Sequence, residues 1–138
     1  MNITISQEQG QVPVTVLHLH GAVDGSNYKD LIATAKTAFD NGARAFLIDL
    51  SEVTFISSSG LVALHFIARM TKGQALPDTE QGWETFRAMG RDRGTGTLTH
   101  AKLLNPQPKI VNVLETVGFK PYFEIFSELN EAVASFAG

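Results

Sequence analysis

Three consecutive serines and a glycine, Ser57-Ser58-Ser59-Gly60, stand directly before an apolar run that begins at Leu61. Serine at a helix start offers a side-chain acceptor for the free N–H groups of the first turn. It also offers a hydroxyl that can take a phosphate, adding about −1.5 to −2 charges at neutral pH. At a helix N-terminus such an anion is tolerated by the dipole, so its effect falls on a partner that would have to desolvate it. The plainer alternative is that these serines only cap the helix, and the two roles are compatible.

Other groupings invite chemical readings that the sequence does not sustain. Asp24 and Asp49 could be paired carboxylates for acid–base work or a Mg²⁺ site. Both sit at the ends of elements, where carboxylates accept hydrogen bonds from turn backbone, and no nucleophile motif accompanies them. His18 and His20, at i and i+2, share a strand face as a metal pair would, with His65, His100 or a carboxylate as the missing ligands. No zinc spacing is present, so an ordinary face-lining role is expected. Arg87, Arg91 and Arg93 lie among Gly90, Gly94 and Gly96 without a phosphate-binding G-x-x-x-x-G-K-(S/T) pattern, and read as a solvated basic loop. Trp83, Phe86 and Met89 could form a partner-binding stripe or pack back onto the domain. No cofactor and no metal are expected.

The elements that must position these residues alternate. Residues 3–5 read as an edge strand, followed by a turn at Gln9-Gly10. Residues 12–19 form a second strand, with Val12, Val14 and Val16 on one face and Thr15, Leu17 and Leu19 on the other. Pro13 places its beginning at an edge or bulge. Ser26 is the expected N-cap of a helix over 27–40, stopped by Asn41-Gly42. Ala45-Phe46-Leu47-Ile48 is continuously apolar, as suits a strand buried on both faces, here placed at 44–50. A turn and short extended segment over 52–56 lead into the serines, and a helix buried over most of its circumference continues to about residue 72.

Residues 73–97 differ in composition, holding five of the 12 glycines (Gly73, Gly82, Gly90, Gly94, Gly96) and Pro77. They read as a flexible insertion on one scaffold rather than a linker. A strand over 98–104, a helix capped at Asn105-Pro106 and ended by Gly118, a strand over 121–126 and a last helix capped by Ser127 complete the chain. Helix and strand in alternation favour an α/β layer arrangement.

At 138 residues this is expected to be one domain with a core large enough to need no disulfide. Cysteine is absent, which excludes thiol chemistry and cysteine-ligated metal. The net charge of −3 provides no footprint for nucleic acid. The N-terminus lacks the charged and apolar regions of a signal peptide, and the apolar stretch around 61–68 falls short of the ~20 residues of a spanning helix. A cytoplasmic protein without direct membrane insertion is therefore expected.

The order of elements, with a strand running into SSSG, resembles the STAS domain of bacterial anti-sigma factor antagonists. Gly21-Ala22-Val23-Asp24 resembles the family's G-x-(L/V)-D, and residues 47–53, LIDLSEV, its D-L-S-x-V turn. Residues 55–61, FISSSGL, resemble the phosphorylation loop D-S-(S/T/A)-G-L, and the ending Val117-Gly118-Phe119 with Phe123 to Phe126 resembles the family's close. The likeness spans the chain except 73–97. It implies a STAS-like α/β domain whose mixed sheet has helices mainly on one side. It implies a protein-binding regulator, not an enzyme, in a partner-switching pathway. Ser58 would be the phosphoacceptor, with Ser57, Ser59 and Gly60 shaping the loop.

The resemblance further implies an anti-sigma factor serine kinase of the histidine-kinase-like ATPase fold as partner, with a serine phosphatase restoring the unmodified form. Leu61, Val62 and His65 are the expected partner-facing part of the second helix, and Val23, Asp24 and Gly25 the neighbouring rim. One position departs from the pattern: the family's acidic residue before the phosphorylated serine is Ser57 here, which removes a negative charge from the loop. Two rivals stand beside this reading. One is a STAS scaffold or interaction subunit that is not phosphorylated, in a signalling or transporter complex; the other is a small ligand- or metal-binding protein.

Overall fold

A strand without polar residues needs cover on both faces, and the rest of the chain supplies it for residues 45–48. The computed structural model describes residues 2–71, 100–118 and 123–136. Its elements run β1 (Asn2–Gln9), β2 (Pro13–Val23), α1 (Tyr28–Asp40), β3 (Phe46–Ile56), α2 (Ser58–Thr71), β4 (Ala101–Leu104), α3 (Pro108–Thr116), β5 (Ile125–Phe126) and α4 (Leu129–Ser135). The strands form one sheet in the order β1-β2-β3-β4-β5, with β1 antiparallel to β2 and the later pairs parallel. β3 is therefore central. The segment 73–97, with Trp83, Phe86, Met89 and the three arginines, lies outside the described residues.

Alternation along the strands divides the core in two. Leu17, Leu19, Phe46, Ile48 and Leu50 face α1, α2 and α3, meeting Leu31, Ile67 and Leu114 among others. Val14, Val16, Leu47 and Leu104 face the opposite way and are covered by Ala132, Val133 and Phe136 at α4. This is the mixed sheet with helices mainly on one side that the resemblance implies. On the α4 face the buried Lys102 is satisfied locally: its Nζ donates to the Ser135 carbonyl at 3.2 Å and hydroxyl at 2.9 Å, and stands 4.8 Å from the Phe136 ring centroid.

Several boundaries differ from the sequence reading, each for a local reason. Pro13 occupies the first position of β2, where its missing N–H costs the ladder least. Ser26 does not cap α1. The N-cap is Asn27, whose Nδ2 donates to the Ala22 carbonyl while its Oδ1 accepts from the Asp24 N–H, both at 2.9 Å. Asn105 takes a positive φ of 52°, so α3 starts later than expected, with Pro108 in its first turn and Gln107 as N-cap. Glu128, not Ser127, precedes α4. Gly42 and Gly118 end α1 and α3 at φ 109° and 81°, as expected.

The largest difference is β3, which extends to Ile56 instead of stopping at Leu50. Opposite β2 the pairing runs His18↔Asp49, His20↔Glu52, Gly21↔Val53 and Ala22↔Phe55, so β3 carries one extra residue twice. Each bulge shifts the side-chain alternation by one. Leu50, Val53 and Ile56, three apart, thereby all reach the core shared with α2. Asp49 fixes the first bulge: its Oδ1 accepts from the Ser51 N–H at 3.0 Å and from the Ser51 hydroxyl at 2.7 Å.

Burial would push the Asp49 carboxyl up, but hydrogen bonds from the Ser51 N–H, the Ser51 hydroxyl and the His18 ring outweigh it and hold the group below the ordinary carboxylate range. A carboxyl lowered in the folded state stabilises above its unfolded-state value, and that contribution is lost as pH falls through the folded one. Asp49→Asn is expected to lose roughly 1.5–3 kcal/mol at neutral pH, the scale of a hydrogen bond to a charged group. Thermal melts of both proteins across an acid series should show the gap closing as the parent carboxylate protonates; a gap independent of pH would contradict this account.

Candidate functional site

The serine turn sits where β3 leaves the sheet. The Ser57 N–H donates to the Val23 carbonyl at 2.9 Å, continuing the β2–β3 ladder by one residue. The Ser57 hydroxyl then accepts from the Gly60 N–H at 3.3 Å, and its carbonyl accepts the first helical bond, from Leu61, at 3.0 Å. Ser57 is thus the N-cap of α2, and the capping role expected for the serines falls to it. Ser58, at the first helical position, is exposed; Ser59 is half-buried.

Gly60 is required by space. A Cβ there would lie 2.6 Å from Ile56 Cγ1, closer than real side chains sit, and a tight 3.0 Å from the Val23 carbonyl oxygen. The β2–α1 turn abuts the serines from the other side, a Cβ on Gly25 lying 3.7 Å from Ser59 Oγ. Gly25 and Ser26 are exposed, so an exposed rim meets the serine turn at Ser59. Asp24 belongs to this turn: the Ser26 hydroxyl, then the Ser26 N–H, hydrogen-bond its carboxylate and hold it below the ordinary range.

The other expected contact residues are placed differently. α2 packs against α1, β3 and β4, which leaves little of its circumference free. Leu61, Val62 and His65 are all buried, and so is Val23, which contributes its carbonyl to the turn. These side chains hold the site in position and do not form its described surface.

Phe55 supplies what the sequence reading missed. It is 54% exposed and stands three residues before Ser58. The three-residue spacing of Leu50, Val53 and Ile56 is the signal that could have found it, because that spacing leaves Phe55 out of the core.

Asp24 and Asp49 are not brought together: Asp49 of β3 pairs with His18 in the middle of β2, and Asp24 follows the end of β2 six residues further on, roughly 20 Å away. No group of His, Asp and Glu suited to a metal occurs among the described residues, and His18 is instead bonded to Asp49 and Ser6. A groove of about 920 Å³ opens between β1 and α1, lined by Ile5, Val12, Thr37, Ala38 and Arg44 among others. It lies by the start of β3, the opposite end of the strand from Ser58. The serine site is therefore a projecting turn, a shape suited to a protein partner more than to a small molecule.

Three substitutions separate packing and capping from exposure here. Gly60→Ala is expected to destabilise by about 1–3 kcal/mol through overpacking, and Ser57→Ala by about 1 kcal/mol through loss of the cap. Ser58→Ala should stay within about 0.5 kcal/mol of the parent. Urea unfolding of the three variants gives the ranking, and a large loss in Ser58→Ala would mean that its hydroxyl is structural.

Comparison with known proteins agrees with this arrangement. A family model described as "Mlab, STAS domain" matches residues 6–76. No curated protein sequence matches the chain. Among solved structures, an anti-sigma factor antagonist from Mycobacterium paratuberculosis is similar at 20% identity and a TM-score of 0.64, covering 97% of this chain and 93% of that one. The Bacillus cell fate determinant SpoIIAA is similar in its phosphorylated form at 18% identity and a TM-score of 0.61, covering 96% of each chain. Its unphosphorylated form gives 18% identity and a TM-score of 0.58, covering 94% of this chain and 92% of that one. At these identities the structures speak for the fold. The family match takes in the central strand, the serine turn and the helix that follows it, more than half of the 138 residues, and by that match the chain belongs to the STAS domain family.

Proposed function

We propose that this protein is an anti-sigma factor antagonist, a regulator that works by binding another protein and is controlled by phosphorylation of Ser58. The observation that carries the reading is the exposed Ser58 at the first position of α2, with the exposed Phe55 three residues before it in the chain and the exposed Gly25 against its neighbour Ser59. The similar folds of two anti-sigma factor antagonists, of which SpoIIAA is also known in a phosphorylated form, support it. In this reading the unmodified protein docks on a kinase-type anti-sigma factor with a histidine-kinase-like ATPase fold and frees the sigma factor. Phosphorylation ends the docking, and a serine phosphatase restores it. A cytoplasmic setting fits such partners; no described helix is long and apolar enough to cross a membrane.

The physical switch is a change from an uncharged to a dianionic turn. Ser57 leaves the residue before Ser58 neutral, and the neighbouring Asp24 carboxylate is occupied by Ser26. Docking of the unmodified turn would then rest on shape and on burial of Phe55, since exposed aromatics are favoured anchors in interfaces. A phosphate on Ser58 would be held without strain by the dipole of α2 but would oblige the partner to desolvate it.

Incubation with an anti-sigma-type kinase and ATP is expected to add the mass of one phosphate, and Ser58→Ala to abolish that gain. Phe55→Ala should weaken binding to the same kinase at least about tenfold, ~1.4 kcal/mol, without lowering the melting temperature. If no kinase of this class modifies the chain while Ser58→Arg and Phe55→Ala still disrupt a native complex, the protein is a constitutive interaction subunit instead.

A further inference from the structure

Away from the serine turn, three side chains on neighbouring strands form a continuous hydrogen-bonded row. The Ser6 hydroxyl of β1 lies 2.8 Å from His18 Nε2, and His18 Nδ1 lies 2.7 Å from Asp49 Oδ2. The register explains the meeting. His18 of β2 pairs with Asp49 on one side and with Thr4 on the other, and Ser6, two residues along β1, reaches it diagonally. These residues share the face that α4 covers farther along, over β4 and β5. The side chains of His18 and Asp49 remain 28% and 16% exposed, so a small molecule can touch them.

An ionised carboxylate only accepts, so His18 Nδ1 carries a hydrogen. In the neutral ring Nε2 then presents its lone pair, and the Ser6 hydroxyl donates to it. Asp49 is itself held, through its other oxygen, by the Ser51 N–H and hydroxyl. A nucleophile bonded to a base, with the base oriented by a fixed third group, is the arrangement by which serine is activated for acyl transfer.

We propose that Ser6 is a base-activated nucleophile that accepts the acyl group of small activated esters. Ser6 Oγ attacks the carbonyl carbon and forms the new C–O bond as its proton passes to His18 Nε2; Asp49 steadies the resulting imidazolium. Collapse breaks the bond to the leaving group, which departs as the alkoxide or takes the proton back from Nε2. Water can later attack the acyl carbonyl as its proton passes to His18 Nε2; the bond to Ser6 Oγ breaks, Oγ takes the proton back, and the carboxylic acid leaves. The groove beside α1 does not serve this site, being lined by Ile5 and Gln7 rather than Ser6. No set of oxyanion donors is assigned, and in hydrolases the loss of one such donor costs about 10²–10³ in rate. The expected behaviour is stoichiometric acylation by a donor with a good leaving group, with slow turnover.

The test uses the full chain and p-nitrophenyl acetate. The expected result is a burst of p-nitrophenolate equal to the protein and one acetyl group mapped to Ser6. Ser6→Ala should lose the acetylated peptide, His18→Gln should slow acetylation of Ser6 at least tenfold, and His20→Gln, an exposed neighbouring imidazole, should leave it unchanged. Acetyl groups on lysines without Ser6, or an unchanged rate in His18→Gln, overturn the proposal and leave the row as a cross-strand clamp. Because the chain has no cysteine, Ser6→Cys gives a second reading that needs no change at His18. Its reaction with iodoacetamide should be at least tenfold faster than that of Gln9→Cys, on the same strand; equal rates also overturn the proposal.

Discussion

The hold on β3 determines where everything else in this molecule stands. It is paired on both edges and covered on both faces, with Phe46, Leu47 and Ile48 fully removed from solvent. A slip of one residue against β2 would turn Leu47 and Ile48 to the wrong faces at once, so burial fixes the register strongly. The two bulges then settle how much chain is used before the strand ends, and the bond from Ser57 to Val23 closes the ladder. The exposed Ser58 is placed by a core that runs the length of the strand and closes beneath the turn at Val23, Ile56 and Leu61. This is a rigid way to present a small turn, since the residue that projects makes no contribution to holding itself there.

How much of this can be read from the sequence depends on whether a pattern has one physical cause. The run 45–48 is legible because nothing polar interrupts it, and Leu129, Ala132, Val133 and Phe136 are legible because a single face of α4 is buried. Residues 50–56 are not, because bulges replace the two-residue period by a spacing of three that also suits a turn or a helix. Caps fail for a different reason. Ser26 has the hydroxyl a cap needs, yet it is spent on Asp24, and Asn27 closes the turn by bonding backward to Asp24 and Ala22.

The site divides the same way. Hydroxyls, a glycine and an apolar run in sequence identify a helix start with exposed side chains, and the structure puts Ser57 at the cap and Ser58 in the open. Which residues surround Ser58 was beyond the sequence, because an apolar helix does not declare which of its faces is outward. Leu61, Val62 and His65 look available on paper and are buried once α1, β3 and β4 close around α2. Phe55 looks like part of a buried strand and is left outside by the second bulge.

Asp49 connects the two regions to which functions are assigned, through a division of labour between its oxygens. Oδ1 is taken by Ser51 and fixes the first bulge; Oδ2 is taken by His18 Nδ1 and orients the imidazole. A carboxylate with only the first task would tolerate protonation at the cost of one hydrogen bond, and one with only the second could sit in a regular strand. With both, the group that gives β3 the length to reach Val23 also orients the only base within reach of Ser6 among the described hydrogen bonds. Disturbing Asp49 therefore acts in two places: on the path of the strand toward the serine turn, and on the row that crosses β1, β2 and β3. A structural clamp made by the same bonds would orient the ring equally, so it is the reach of Ser6 to Nε2 that joins the nucleophile to this frame.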